Sequence, residues 1–250
     1  MSRVAILNRP GAEPSLGAVE LSRRLLGEAR SVSRPEECAR LTRLAGQLSG
    51  VDPTGIEGDA ERIAFWLNLY NALLLHGLCL RPVRGSMLRH LRLFGRLAYE
   101  VGGSVCTPNV IEHGVLRRNS RPPLHLRRAL RASDPRAASS PARLDPRIHF
   151  ALNCGARSCP PIRAYDPAAL DEQLETATSA YFAGEARVDR ERCRAVLPRL
   201  MRIYASDFGS RTRQVGFAAR YLPELEECRG RIMVRYGRFD WTAVPASPLP

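Results

Sequence analysis

Asp59-Ala60-Glu61-Arg62-Ile63-Ala64-Phe65-Trp66-Leu67-Asn68-Leu69-Tyr70-Asn71-Ala72-Leu73-Leu74-Leu75-His76-Gly77-Leu78 reads as one helix around which the rest of the chain must be built. Asp59 is placed to cap it and Glu61 lies in its first turn, while Gly77 and Pro82 end it at about Leu78. Ile63, Phe65, Trp66, Leu67, Tyr70, Leu73, Leu74 and Leu78 cover the full turn, so the helix is central rather than amphipathic. The apolar run Ile63 to Leu80 approaches membrane-spanning length, but Asn68, Asn71 and His76 would be penalised in hydrocarbon, so a buried helix and no membrane are expected. Asn68 and Asn71 lie three apart on one face of it. A buried amide without a partner costs roughly 1–3 kcal/mol, so each must be hydrogen-bonded, either as an anchor for a neighbouring loop or as support for a catalytic group or an oxyanion.

Working outward, residues 16 to 50 carry Leu21, Leu25 and Leu26, then Leu41, Leu44 and Leu48, at helical spacing. Asp52-Pro53-Thr54-Gly55 is a turn. Leu97 to Val101 reads as a short strand ending at the Gly102-Gly103 turn. Thr107-Pro108 is an N-cap followed by proline at the first helical position, opening a helix with Ile111-Glu112-His113-Gly114-Val115-Leu116-Arg117. Residues 118 to 146 give no period and are expected as a loop or one short helix around Leu124 to Ala132. After Asp145-Pro146, Ile148, Phe150 and Leu152 face one way and His149, Ala151 and Asn153 the other, which predicts a short buried strand running into Cys154-Gly155-Ala156-Arg157-Ser158-Cys159-Pro160-Pro161. Helices are expected at about Pro167 to Phe182, Arg194 to Ala205 and Arg213 to Tyr221, and a strand at Ile232 to Tyr236. The expectation is an α+β chain, helices packed around a small sheet in a single compact domain over residues 20–242, with an N-terminal extension (1–19) and a frayed tail (243–250).

Of 250 residues 44% are hydrophobic, an ordinary globular composition, and the net charge is +13. All 38 basic residues are arginine. The absence of lysine removes P-loop nucleotide hydrolases, protein kinases and pyridoxal enzymes, each of which needs a lysine amine, so Asp207-Phe208-Gly209 is no kinase signal. The arginines are scattered and only 6% of residues are aromatic, so a nucleic-acid partner is not expected. The apolar run of Met1 to Pro10 is too short for a secretory signal, which predicts a cytoplasmic chain whose seven cysteines stay reduced, with no disulfide framework.

Cys154 at the end of a strand, with His149 on that strand and Glu112-His113 elsewhere, supplies the nucleophile, base and orienting carboxylate of a thiol enzyme. Five extended steps of roughly 3.3 Å would separate residues 149 and 154 by about 16 Å, so either the chain turns back or His113 serves as base. Glu112 and His113, as neighbours on a helix, should not share one face. His149, Cys154 and Cys159, with His113 or Glu112, could also ligate zinc, and Cys154 with Cys159 could be a redox pair, though neither spacing is the usual one. Inert burial is the plain alternative for each cysteine. No cofactor and no metal is called for.

Taken together, the helix Ala64 to Leu73, the segment Ile111 to Arg117, and Asp145 to Cys154 followed by Ser158-Cys159-Pro160 resemble the family catalogued as domain of unknown function 547, with Asp207-Phe208-Gly209, Tyr221-Leu222-Pro223 and Phe239-Asp240-Trp241 as its C-terminal landmarks. The resemblance covers roughly residues 20 to 242 and implies a compact α+β domain in which Glu112, His149 and Cys154 look like a thiol-hydrolase site of papain or transglutaminase type. Cys106-Thr107-Pro108-Asn109 and Thr242-Ala243 depart from the family's usual residues. The expected function is a cysteine-dependent hydrolase or acyl transferase acting on a small molecule or peptide. Cys154 attacks, His149 or His113 moves the proton and Glu112 orients it, supported by Asn68, Asn71, Ser158 and Cys159. The alternative is a non-catalytic binding or scaffold domain with a buried polar network.

Overall fold

The computed structural model of the chain describes residues 4–9, 11, 13–32, 34–123, 127–228 and 231–244. The central helix α3 spans Asp59–Leu80, and nearly every residue from Ile63 to Cys79 is buried. It is long and apolar enough to cross a membrane by length and composition, but 89% of its most apolar window is buried inside the protein. Helices α1 (Ala18–Ser31) and α2 (Cys38–Gly46) lay Leu21, Leu25, Leu26 and Leu41 against it.

Beside α3 lies a sheet ordered β1-β2-β3, with β1 (Ala5–Ile6) parallel to β2 (Leu97–Val101) and β2 antiparallel to β3 (Ser104–Cys106). The β2–β3 turn is Gly102-Gly103, both at positive φ (51° and 71°), as a two-residue hairpin needs. A side chain at Gly102 would also meet the Val51 carbonyl at 2.5 Å. The N-terminal extension therefore contributes a sheet edge, and Asn8 ties it down by donating to the Ala45 and Glu100 carbonyls.

The C-terminal half adds α4 (Leu170–Glu185), β4 (Arg187–Asp189), β5 (Arg194–Leu197), α5 (Arg199–Ile203), α6 (Ala205–Phe208), α7 (Arg211–Ala219) and β6 (Met233–Tyr236). Its sheet runs β4-β5-β6, with β5 antiparallel to β4 and parallel to β6. An aromatic cluster of Phe150, Phe182, Phe208 and Phe217 forms a second core that adjoins the first, and the whole is one α+β domain.

Two local expectations are corrected. Residues 147–153 are not a strand: Asp145 accepts from the Arg147 N–H at 2.9 Å and Pro146 opens a 3-10 turn, Pro146–Phe150. The alternation has another cause, because Ile148 enters the core around α3 and Phe150 the aromatic one. Arg194 to Ala205 is not one helix either. Ala195 and Leu197 point inward with period two in β5, and Pro198 leaves room only for the short α5. No helix forms over residues 127–132, and Leu124 to Leu126 lie outside the described residues, as does most of the expected frayed tail. The cysteines are not all unpaired: Cys193 and Cys228 form a disulfide with Cα atoms 5.4 Å apart.

Candidate functional site

Thr107 and Pro108 start the segment as expected, the threonine hydroxyl accepting from the Val110 N–H at 3.2 Å. Val110–Leu116 then widens into a π-helix, with the Arg117 N–H donating to the Glu112 carbonyl and the Asn119 N–H to Gly114. Such wide turns are rare and frequent at functional sites. Each residue advances less around the axis than in an α-helix, and this corrects the expectation that Glu112 and His113 diverge: His113 Nδ1 lies 3.4 Å from Glu112 Oε1. That contact is no hydrogen bond in the neutral ring, because Nδ1 accepts from Arg117 Nη1 at 2.9 Å.

Arg117 is fully buried and organises the cluster. Its Nε and Nη2 donate to Asp207 Oδ2 and Oδ1 at 2.5 and 2.8 Å, a two-pronged pairing that matches guanidinium to carboxylate. The 3-10 turn after Pro146 aims His149 at the same carboxylate, Nε2 lying 2.8 Å from Oδ2. Burial would raise the Asp207 pKa, but the hydrogen bonds from His149 and Arg117 hold it well below the usual carboxylate range. Burial is the largest influence on His149 and His113 and lowers both, against the raising effect of the Asp207 and Glu112 carboxylates. Tyr204 fills the space between, its ring stacked on His149 at 3.7 Å and lying under the Arg117 guanidinium at 5.1 Å. The Tyr204 hydroxyl donates to Glu112 Oε1 at 2.7 Å and the Tyr70 hydroxyl to Oε2 at 3.3 Å. Burial opposes ionisation of Glu112, yet His113, the Tyr204 hydrogen bond, His149 and Arg117 outweigh it and lower its pKa.

The cysteines sit on a loop held from several sides. Asn71 donates to the Ala151 carbonyl and accepts from the Asn153 N–H, both at 3.1 Å. Asn153 closes the loop, accepting from the Gly155 N–H at 2.6 Å and donating to the Pro160 carbonyl at 2.7 Å. Tyr181 donates to the Ser158 carbonyl, while the Ser158 hydroxyl accepts from the Asp240 N–H. Gly155 takes φ 82°, which favours glycine, and the loop brings Cys154 Sγ and Cys159 Sγ to 2.7 Å. Cys159 also accepts from the Cys154 N–H at 3.1 Å. The shared proton pushes Cys154 up, with burial adding to it. Burial also works against a Cys159 thiolate, but the Cys154 thiol and the Cys154 and Ala156 N–H groups outweigh it and lower its pKa. Both cysteines are partly buried and both thiols feel the Glu112 charge.

The candidate residues thus separate into two linked groups. Glu112, His113 and His149 converge with Arg117, Asp207, Tyr70 and Tyr204 in a buried network, and Cys154 and Cys159 pair at its edge. Among the described residues no imidazole hydrogen-bonds either sulfur. The zinc set His149, Cys154 and Cys159 is not assembled, and no group of three or more His, Cys, Asp or Glu side chains among the described residues is arranged for a metal. Asn68 brackets Tyr165, donating to its carbonyl at 2.9 Å and accepting from its N–H at 2.8 Å, so both asparagine amides are spent on backbone. Ser158 is a strut. Tyr70, Arg117, Tyr204 and Asp207 had no assigned role in the sequence. Arg117 follows His113 by one helical turn, and Asp207 stands in the Asp-Phe-Gly triplet, but only tertiary structure joins them.

No curated protein and no solved structure matches the chain. Residues 54–182 match the family model described as protein of unknown function, DUF547. The matched span holds Tyr70, Glu112, His113, Arg117, His149, Cys154 and Cys159, and ends before Tyr204 and Asp207, which the fold returns to the same place. Since that span exceeds half of the chain and carries α3, the Glu-His segment and the cysteine loop, the chain belongs to the DUF547 family.

Proposed function

We propose that the protein is a thiol enzyme that exchanges its dithiol with a substrate disulfide at Cys154 and Cys159. The 2.7 Å approach of the two sulfurs, with hydrogen-bond donors gathered on Cys159, carries this reading. A more acidic attacking thiol beside a less acidic resolving thiol is the division of labour that thiol–disulfide exchange uses. The Cys159 thiolate attacks one sulfur of a small-molecule or peptide disulfide and expels the other as a thiolate. Cys154 then loses its proton to solvent and attacks Cys159 Sγ, expelling the second substrate thiolate. The substrate disulfide becomes two thiols, and the pair becomes a disulfide. The Glu112 charge disfavours a thiolate and not a disulfide, so it poises the pair as a reductant.

Incubation with oxidised glutathione tests this by peptide mass spectrometry. The expected product links Cys154 to Cys159 with loss of two hydrogens. Cys154→Ser should accumulate a glutathione adduct on Cys159, and Cys159→Ser none on Cys154. Absence of both the disulfide and the adduct would overturn the reading.

The His149–Asp207 pair favours a second reading, the cysteine-dependent hydrolase or acyl transferase in which Cys154 attacks a carbonyl and a carboxylate-oriented imidazole moves the proton. It requires the other ring nitrogen of His149, Nδ1, to reach the thiol while Nε2 stays on Asp207, and it predicts an acyl adduct on Cys154 with an activated ester. The scaffold alternative draws support from the closure of the network: among the described residues, the Tyr165 hydroxyl is the one buried side-chain polar atom without a partner. It predicts two inert thiols.

A further inference from the structure

Six large hydrophobic side chains are exposed among the described residues, and five of them lie on or beside β1, on the C-terminal end of α3 and on the run that leads into β2. Leu80 (38% exposed) ends α3, and Leu88 (47%) and Leu91 (43%) lie on the 3-10 run Met87–Gly95 that leads into β2. Val4 (39%) and Ile6 (45%) flank Ala5, whose N–H donates to the Arg96 carbonyl where that run ends. Three residues per turn put Leu88 and Leu91 on one face, and Arg89 and Arg92 on the adjoining one. The run is anchored from below by buried Met87 and Phe94, and the Met87 N–H donates to the Trp241 carbonyl at 2.8 Å, so the exposed leucines stand on a fixed base.

The charge carried by this segment itself is of one sign. Residues 62 to 99 contain no aspartate or glutamate, while Arg81, Arg84, Arg89 and Arg92 are exposed and make no ion pair among the described residues. Exposed arginines elsewhere are mixed: Arg23, Arg190 and Arg220 are ion-paired, while Arg199 and Arg202 make no ion pair among the described residues and so serve as a charge-matched control. Apolar side chains set among unpaired cations fit a surface that offers anions at its face and hydrocarbon just beneath.

We infer that the face formed by residues 80–96 and β1 docks on an anionic phospholipid surface. The arginines meet lipid phosphates, and Leu88 and Leu91 enter the boundary between headgroups and acyl chains. The protein lies on the bilayer and does not span it, because α3 is buried in its core. The contact uses no residue of the cysteine loop, so this inference stands apart from the proposed thiol chemistry.

Co-sedimentation with phosphatidylcholine vesicles, with and without about 30% phosphatidylglycerol, tests it. The protein should pellet with the anionic vesicles and stay in solution with the neutral ones. Leu88→Ser/Leu91→Ser and Arg89→Gln/Arg92→Gln should each weaken binding by about tenfold or more, whereas Arg199→Gln/Arg202→Gln, exposed on the other half of the molecule, should bind within about twofold of wild type. Circular dichroism checks that each variant folds, and the single Leu88→Ser substitutes for the pair if it does not. Absence of anionic-vesicle binding, an equal loss in the Arg199/Arg202 variant, or no loss in the leucine variants would overturn the inference. The last outcome would mean that overall charge alone acts, as it would with a nucleic acid.

Discussion

His149 Nε2 lies 2.8 Å from Asp207 Oδ2, and both side chains are almost completely buried. The one imidazole close in sequence to Cys154 is thereby committed to a carboxylate 58 residues downstream, which Arg117 also grips. Glu112, felt by both thiols, is the charged group set against them.

Asp207→Asn keeps the shape of the side chain and removes its charge, leaving the buried Arg117 guanidinium without its carboxylate. Breaking a buried pair in this way costs roughly 3–5 kcal/mol, so urea unfolding should show a large loss of stability at pH 7. A loss below about 1 kcal/mol would mean that the pair does not hold the network together.

His76 is buried in α3, with Nδ1 2.9 Å from the Tyr99 hydroxyl, and burial lowers its pKa from 6.5 to about 4. The unfolded chain therefore takes up this proton first, and the stability present above pH 6.5 declines as the pH falls toward 4. The decline from this group should be about 3 kcal/mol, and it should be absent in a folded His76→Gln variant, as unfolding curves between these pH values will show.

Asn71 holds both sides of the turn before Cys154. Asn71→Leu should cost about 2–4 kcal/mol, because two backbone groups lose their partner in a buried place. Amide hydrogen exchange at Asn153 and Gly155 should accelerate in the variant more than it does in α4.

The Cys193–Cys228 bond closes 35 residues of chain. The chain-entropy relation gives about 3–4 kcal/mol for a loop of that size, so the doubly substituted Cys193→Ala/Cys228→Ala protein should lose about that much unfolding free energy in urea titration. Equal stability with and without the bond would show that it adds nothing beyond the packing of the second sheet.

The central helix was legible because its signals are local: acidic residues in its first turn, an apolar surface all round, and a glycine and proline at its end, although Gly58 and not Asp59 stands at the N-cap and no side chain caps the helix. The same holds for the Gly102-Gly103 hairpin and the Thr107-Pro108 helix start. Residues 147–153 misled because Ile148 and Phe150 serve two different cores, a division that a linear pattern cannot distinguish from the two faces of a strand. Of the site, Glu112, His113, His149, Cys154 and Cys159 stood out by chemistry, but their relations did not. The π-helix that brings Glu112 to His113, and the return of Tyr204 and Asp207 from residues far along the chain, have no local signature.

The most direct measurement is the rate of iodoacetamide labelling of Cys154 and Cys159 against pH, followed peptide by peptide by mass spectrometry. Cys159 should label first, with an apparent pKa below the unperturbed value of about 8.5, and Cys154 should stay slow until well above it. Fast labelling of Cys154 with Cys159 protected, or two thiols that stay inert across the range, would contradict the account.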